Sequence, residues 1–259
     1  MNGDAMNGDA MACWSPVAAD ETERALLEVG DLALNRADEL GASMAEVSVG
    51  QEQGVSVTVR NGAVETVERN RDKSLAVTVH FGRKSGSAST TDFSAAAIRE
   101  SVASACNIAK FTEEDACGGL PERELLATEF PDLDLNHPWQ LPMERAIEIA
   151  TDCERAALRF DRRISNTEGA TLSSHHGVDL YANSIGFKGL SRGSRHSLGC
   201  SVIAGEGDAM QRDYWYDAAR DAADLRAPIE VGAEAARRTA RRLGARRARP
   251  GEYPMLFEP

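Results

Sequence analysis

Residues 55–92, VSVTVRNGAVETVERNRDKSLAVTVHFGRKSGSASTTD, decide the fold class. Val55, Val57 and Val59 alternate with Ser56, Thr58 and Arg60, the period of a strand with one buried face. Asn61-Gly62 follows, two residues that tolerate positive φ, and Val64 and Val67 resume the apolar pattern. This arrangement predicts a β-hairpin closed by a type I′ turn. A second pair is expected next, with Leu75, Val77, Val79 and Phe81 on one face, a bend at Gly82-Arg83 and a small-residue strand over residues 85–90. A helix would scatter these β-branched side chains around its circumference.

Helical signals flank the sheet on both sides. Asp20 and Glu23 have capping-box spacing, and Ala25, Val29, Leu32, Ala33 and Leu40 recur at helical intervals until Gly41. Ser94 is expected to cap a second helix with the stripe Ile98, Val102, Ala105 and Ala109. Residues 143–160 predict a third, with Ala146, Ala150, Cys153, Ala157 and Phe160 inward. Period two then returns over residues 164–174, 178–182, 185–190 and 195–204, with turns expected at His176-Gly177, Asn183-Ser184 and Arg192-Gly193, and one more strand over residues 210–216. Pro228 opens a last helix whose apolar face reads Ile229, Ala233, Ala236, Ala240 and Leu243, with Gly244 beyond its end.

These patterns give an α+β protein: antiparallel sheets with helices packed on one face, in two subdomains. Residues 1–19 hold the pentapeptide MNGDA written twice, too short and polar for a structural repeat, and are expected to be a disordered extension. Residues 20–111 form an N-terminal subdomain and 143–259 a central one. Between them, residues 112–142 carry Gly118-Gly119, Pro121, Pro131, Pro138 and Pro142 among acidic residues, the composition of a linker. Residues 253–257 look like a strand entering a further domain, so the chain is expected to be truncated there.

Bulk composition bounds the function. The chain has 259 residues, 42% of them hydrophobic, and a formal charge of −12, which argues against nucleic acid or an anionic membrane as the main partner. No apolar run approaches the ~20 residues a membrane helix needs, and the start lacks a basic segment followed by an apolar one, so a cytoplasmic location is expected. The five cysteines, Cys13, Cys106, Cys117, Cys153 and Cys200, are widely spaced and form no C-x-x-C pair, so they are read as reduced packing residues. Arg237, Arg238, Arg241 and Arg242 lie on one face of the last helix near its C-terminus, a solvated face that complements the helix dipole or a basic surface for an acidic partner.

Motifs for chemistry are sparse. No H-E-x-x-H is present. His175 and His176 are adjacent and point to opposite faces of a strand, while His80, His137 and His196 stand alone. There is no G-x-S-x-G elbow, and Gly199 to Gly207 does not match a phosphate-binding loop. Glu168, Asp179 and Asp213 become acids of interest only if the fold brings them together. No catalytic, cofactor-binding or metal-binding residue is therefore assigned.

Four strings carry a resemblance: VRNGAVETVERNRD (residues 59–72), GRKSGSASTTD (82–92), LYANSIGF (180–187) and GEYPMLFEP (251–259). In this order they resemble the N-terminal region of the TldD/PmbA metallopeptidase family, PmbA (TldE) branch. The resemblance implies a two-subunit cytoplasmic peptidase that degrades short or unfolded peptides and removes leaders from modified peptides. In that family the TldD-type subunit carries the zinc, and this chain would contribute scaffold, peptide-holding wall and partner surface, with Asn183 and Ser184 as turn residues. The implied partners are a TldD-like subunit and peptides. Two other readings stay open: a truncated catalytic TldD-type subunit, and a stand-alone peptide-binding module. Nucleic-acid binding through residues 237–249 is more remote.

Overall fold

A computed structural model describes residues 19–247 and 249–257. Its centre is strand β1 (Met44–Arg60), which pairs antiparallel on one side with β2 (Ala63–Phe81) and on the other with β4 (Ile164–Asn183). With β3 (Lys84–Thr90), β5 (Lys188–Ala204) and β6 (Gln211–Ala219), one six-stranded sheet results, in the order β3-β2-β1-β4-β5-β6. All pairs are antiparallel. The helices are α1 (Ala19–Glu39), α2 (Ala95–Phe111), α3 (Met143–Phe160) and α4 (Pro228–Arg242). The expected α+β class with helices on one face is present.

The hairpin at Asn61-Gly62 forms as the sequence requires, with φ of 52° and 73°, the double positive φ of a type I′ turn. It is also held from outside. Glu154, on α3 and 1% exposed, accepts hydrogen bonds from Asn61 N at 2.7 Å, Gly62 N at 2.8 Å and Thr167 Oγ1 at 2.5 Å. Three donors around one carboxylate compensate the loss of its hydration.

Two buried clusters share one face of the sheet. Val47 and Val49 of β1 join Leu75, Val77 and Val79 of β2 beneath α1 and α2, where Leu26, Ala33, Ile98 and Val102 are buried. Val57 and Val59 join Leu172, Leu198 and Val202 beneath α3 and α4, where Ala150, Cys153, Val231 and Ala235 are buried. The odd-numbered β1 residues face the helices at both ends, because side chains alternate with period two. Ser94 caps α2 by accepting from Ala97 N at 3.3 Å, and its predicted stripe is buried.

Several local expectations are overturned. His176-Gly177 and Arg192-Gly193 are not turns: β4 and β5 run straight through them, because β1 and β4 pair without interruption from Val59↔Ala170 to Glu46↔Asn183. Gly177 is required inside the strand, since a Cβ there would stand 2.8 Å from Gln51 O. Asp20 lies within α1, which already includes Ala19, so it does not cap the helix. Residues 1–18 of the expected extension lie outside the described residues, and Ala19, its last residue, belongs to α1.

The inner face of α4 is Val231, Gly232, Ala235, Ala236 and Thr239, while Ile229 is exposed. The helix is rotated from the predicted face because Gly232 abuts α3, where a Cβ would come within 2.0 Å of Cys153 O. Close helix approach decides the face here, and hydrophobicity does not. Phe160, expected inside, is exposed, as are Val64 and Val67.

Candidate functional site

Between the two helical clusters the sheet is left partly open. A cleft of about 500 Å³ lies over the middle of β1, floored by Gln53, Val55, Ser174 and His176, flanked by Arg69 and Arg71 of β2, and roofed by Trp139, Leu141 and the first turn of α3. The ladder explains this grouping. Gln53 stands opposite both His176 and Arg71, and Val55 opposite both Ser174 and Arg69, so all six side chains fall on the helical face.

The roof is fastened by the segment before α3. Ser194 N donates to Leu135 O at 2.8 Å, and His137 N donates to Ser194 Oγ at 2.7 Å. His196, fully buried, donates from Nε2 to His137 O at 2.9 Å and pairs through Nδ1 with Ser174 Oγ at 2.9 Å. A carbonyl only accepts, so Nε2 carries the proton and Nδ1 accepts from the Ser174 hydroxyl. Trp139 packs edge-on to this ring, with centroids 5.5 Å apart. Burial first, then the neighbouring His196 and His175, hold His176 below the ordinary histidine range, so it is neutral near pH 7.

Gln53 is 8% exposed. Its Nε2 lies 3.2 Å from His176 Nε2, while Oε1 has no hydrogen-bond partner among the described residues. Arg69 and Arg71 likewise make no hydrogen bond or ion pair with another described residue. Both belong to the outer stretch of β2, where residues 63–74 are exposed on both faces and β3, which pairs only with Leu75–Phe81, does not cover the edge.

The acids and histidines noted in the sequence are dispersed. Glu168 pairs with Arg212 at 2.5 Å and accepts from Ser201 Oγ. Asp213 sits between Arg238 and Arg242 at 3.8 and 3.5 Å, and Arg238 also lies over the Trp215 ring. That part of the arginine face therefore packs on β6 as well as facing solvent. Asp179, on the opposite face of the sheet, is raised above its ordinary value by burial and then by Glu52. Glu52 also approaches His175 Nδ1 at 3.3 Å. The His175 ring fills the space over Gly54, where a Cβ would lie 2.1 Å from Nδ1.

His137 contacts Asp134 at 3.2 Å and Asp221 at 3.7 Å. His80 is buried with neither ring nitrogen paired among the described residues. Cys153 and Cys200 are buried against each other, and the hydrogen bond to Cys200 together with burial raises the Cys153 thiol.

This donor set does not fit zinc. Both His196 nitrogens are engaged within the fold, His175 and His176 face opposite ways, and no group of three or more His, Cys, Asp or Glu that could hold a metal occurs among the described residues. Gln53, Arg69 and Arg71 escaped the sequence reading, as did Glu154. A signal for the first existed: from Val47 onward the odd-numbered positions of β1 read valine except at Gln51 and Gln53, which lie between Val49 and Val55. No helix among the described residues is long and apolar enough to cross a membrane.

Comparison with known proteins places these features in context. Residues 45–109 match the family model for PmbA/TldA metallopeptidase domain 1, and residues 136–243 match that for the PmbA/TldA metallopeptidase central domain. The chain is 44% identical over 240 residues to Metalloprotease PmbA of Escherichia coli O157:H7, covering 92% of this chain and 53% of that protein. It is 40% identical to a Metalloprotease PmbA homolog of Haemophilus influenzae, covering 91% of this chain and 52% of the relative. The chain thus spans about half the length of the curated relatives it matches. Its fold is similar to that of a candidate DNA gyrase modulator from Bacteroides thetaiotaomicron, with a TM-score of 0.80 and 20% identity over 92% of this chain and 53% of that one. It is also similar to TldE from Thermococcus kodakarensis, with a TM-score of 0.66 and 14% identity over 82% of this chain and 47% of that one.

Proposed function

This chain belongs to the PmbA/TldD metallopeptidase family, and from that premise we propose that it is the peptide-holding, metal-free part of a PmbA/TldE-type subunit. It works in the cytoplasm beside a TldD-like subunit that brings the zinc. The substrates are short or unfolded peptides, including leaders of modified peptides. Residues 20–111 and 143–259 act as two functional lobes joined through 112–142, with β1 and β4 as their common floor.

The observation that carries this reading is the cleft at mid-sheet beside an uncovered strand edge. An extended peptide recognised through its backbone would tolerate many sequences, and the outer stretch of β2 offers backbone groups of the right kind. The dispersed donor set supports assigning bond cleavage to ligands outside these residues. Ser174 does donate to His196, but both are buried, at 4% and 0% exposure, and His196 fastens the roof through the His137 carbonyl, which supports reading the pair as structural.

The test is co-expression of this chain with a TldD-like protein from the same genome, followed by purification and assay on a short unstructured peptide with and without a chelator. The expected result is a stable complex that cleaves the peptide and loses activity on chelation, while this chain alone is inert. Chelator-sensitive cleavage by this chain alone, or failure to associate with the TldD-like protein, would overturn the proposal.

A further inference from the structure

The cleft contains a polar group the fold leaves unanswered. Gln53 is more than nine-tenths buried, and its Oε1 has no partner among the described residues. A buried amide atom left open is costly, and a peptide group carries both the donor and the acceptor that an amide side chain can use. Arg71 stands directly across the ladder from Gln53, and Arg69 two residues along the same face, two guanidinium groups without a partner among the described residues. The opposite wall is the start of α3. Its N-cap is Pro142, which makes no side-chain cap, so the first-turn amides keep their partial positive charge. Glu144 is the one carboxylate on the lining, against two arginines.

We propose that this cleft binds the free carboxylate end of a short extended peptide, with Arg69 and Arg71 on the carboxylate and Gln53 on the adjoining peptide group. The inference rests on the reading that the protein handles peptides, and it assigns which part of the peptide is read. Arginine forks suit a carboxylate because two parallel N–H donors meet its two oxygens. Adjacency of Gln53 and Arg71 across the ladder places an amide contact one step from the charge, the spacing of a terminal carboxylate and its last peptide bond. With a volume of about 500 Å³, the cleft has the size of a site for a small ligand or a few residues.

The test uses the chain as it stands, titrated with three probes and followed by calorimetry and Trp139 fluorescence. The probes are acetyl-tetraalanine with a free carboxylate, the same peptide ending in an amide, and an amide-ended peptide carrying one internal glutamate. The free acid is expected to bind at least tenfold more tightly than either amide-ended peptide. Replacing both arginines (R69Q with R71Q) should bring the free acid down to the level of the amide and leave the amide unchanged. Both positions are exposed, so the fold survives, and an unchanged melting temperature checks this. Glu144→Gln should tighten the free acid severalfold.

Equal affinity for free acid and amide, equal affinity for the internal glutamate, no binding by any probe, or indifference to the double substitution would each overturn the inference. Any of these alongside an active, chelator-sensitive complex would leave the proposed function standing. Loss of the complex with end-specific binding retained would do the reverse.

Discussion

Strand β2 is two strands in character. Over residues 75–80 it is paired on both sides, and Leu75, Val77 and Val79 are fully buried under α1 and α2. Over residues 63–74 it has one neighbour, and every residue is exposed. The inner half is held by its faces: alternating apolar side chains that lose water. The outer half is held by its ladder to β1, by the turn that Glu154 grips and by the buried strand it continues into. A free edge carrying Glu65, Glu68, Arg69, Arg71 and Asp72 is guarded by charge against indiscriminate pairing, and stays available for a chosen partner.

The largest expected effect lies in the inner half. Leu75→Ala removes a fully buried side chain and should destabilise by about 3 kcal/mol, read as a lower urea midpoint at constant slope. If the loss were small, the inner half would not be the part that holds β2.

Next comes the clamp on the outer half. Glu154→Gln keeps the shape but sets an NH₂ group against backbone donors, and should cost about 2 kcal/mol. The exchange of the Asn61 and Gly62 amides should rise with it. Slow exchange there in the variant would mean that the turn stands without its clamp.

A pH effect sharpens the contrast at the roof of the cleft. His137 is raised above the ordinary histidine value by its hydrogen bond to the Asp134 carbonyl, then by the charges of Asp134, Asp221 and Asp224. A raised folded value means the contribution is fully present below the unfolded value and fades as pH rises through the folded one. Docking of residues 134–139 should therefore loosen from mildly acidic toward alkaline pH, seen as a shift in Trp139 fluorescence. His137→Asn should flatten that profile, and an unaltered profile would remove His137 from the roof.

The smallest effect is the converse of the first. Val67→Ser, on the outer half, should change stability by no more than about 0.5 kcal/mol. A loss approaching that of Leu75→Ala would erase the distinction between the halves.

Local periodicity made much of this fold legible. The two hairpins, the Ser94 cap and the buried stripes of α2 and α3 follow from residues near one another in sequence. Long-range pairing did not. Gly177 and Gly193 look like turn residues, and only the uninterrupted ladders on β4 reveal that they lie inside strands. The orientation of α4 depends on Gly232 meeting the Cys153 carbonyl, a contact between elements far apart in the chain.

The cleft is a similar case. Gln53, Arg69, Arg71 and His176 carry no motif, and three strands bring them together through register. The break in β1 alternation at Gln51 and Gln53 was the one local trace. The family strings told more about function than any single residue did, because the proposed surface is made by shape and an open edge.

Amide hydrogen exchange of this chain, with and without a bound free-acid peptide, tests the account most directly. In an edge strand only alternate amides bond to the single neighbour, so residues 63–74 should exchange fast at alternate positions when free. On binding, protection should rise there and around Gln53, with Leu75–Phe81 unchanged. Protection appearing only on the opposite face of the sheet, near Glu52, His175 and Asp179, would contradict the account.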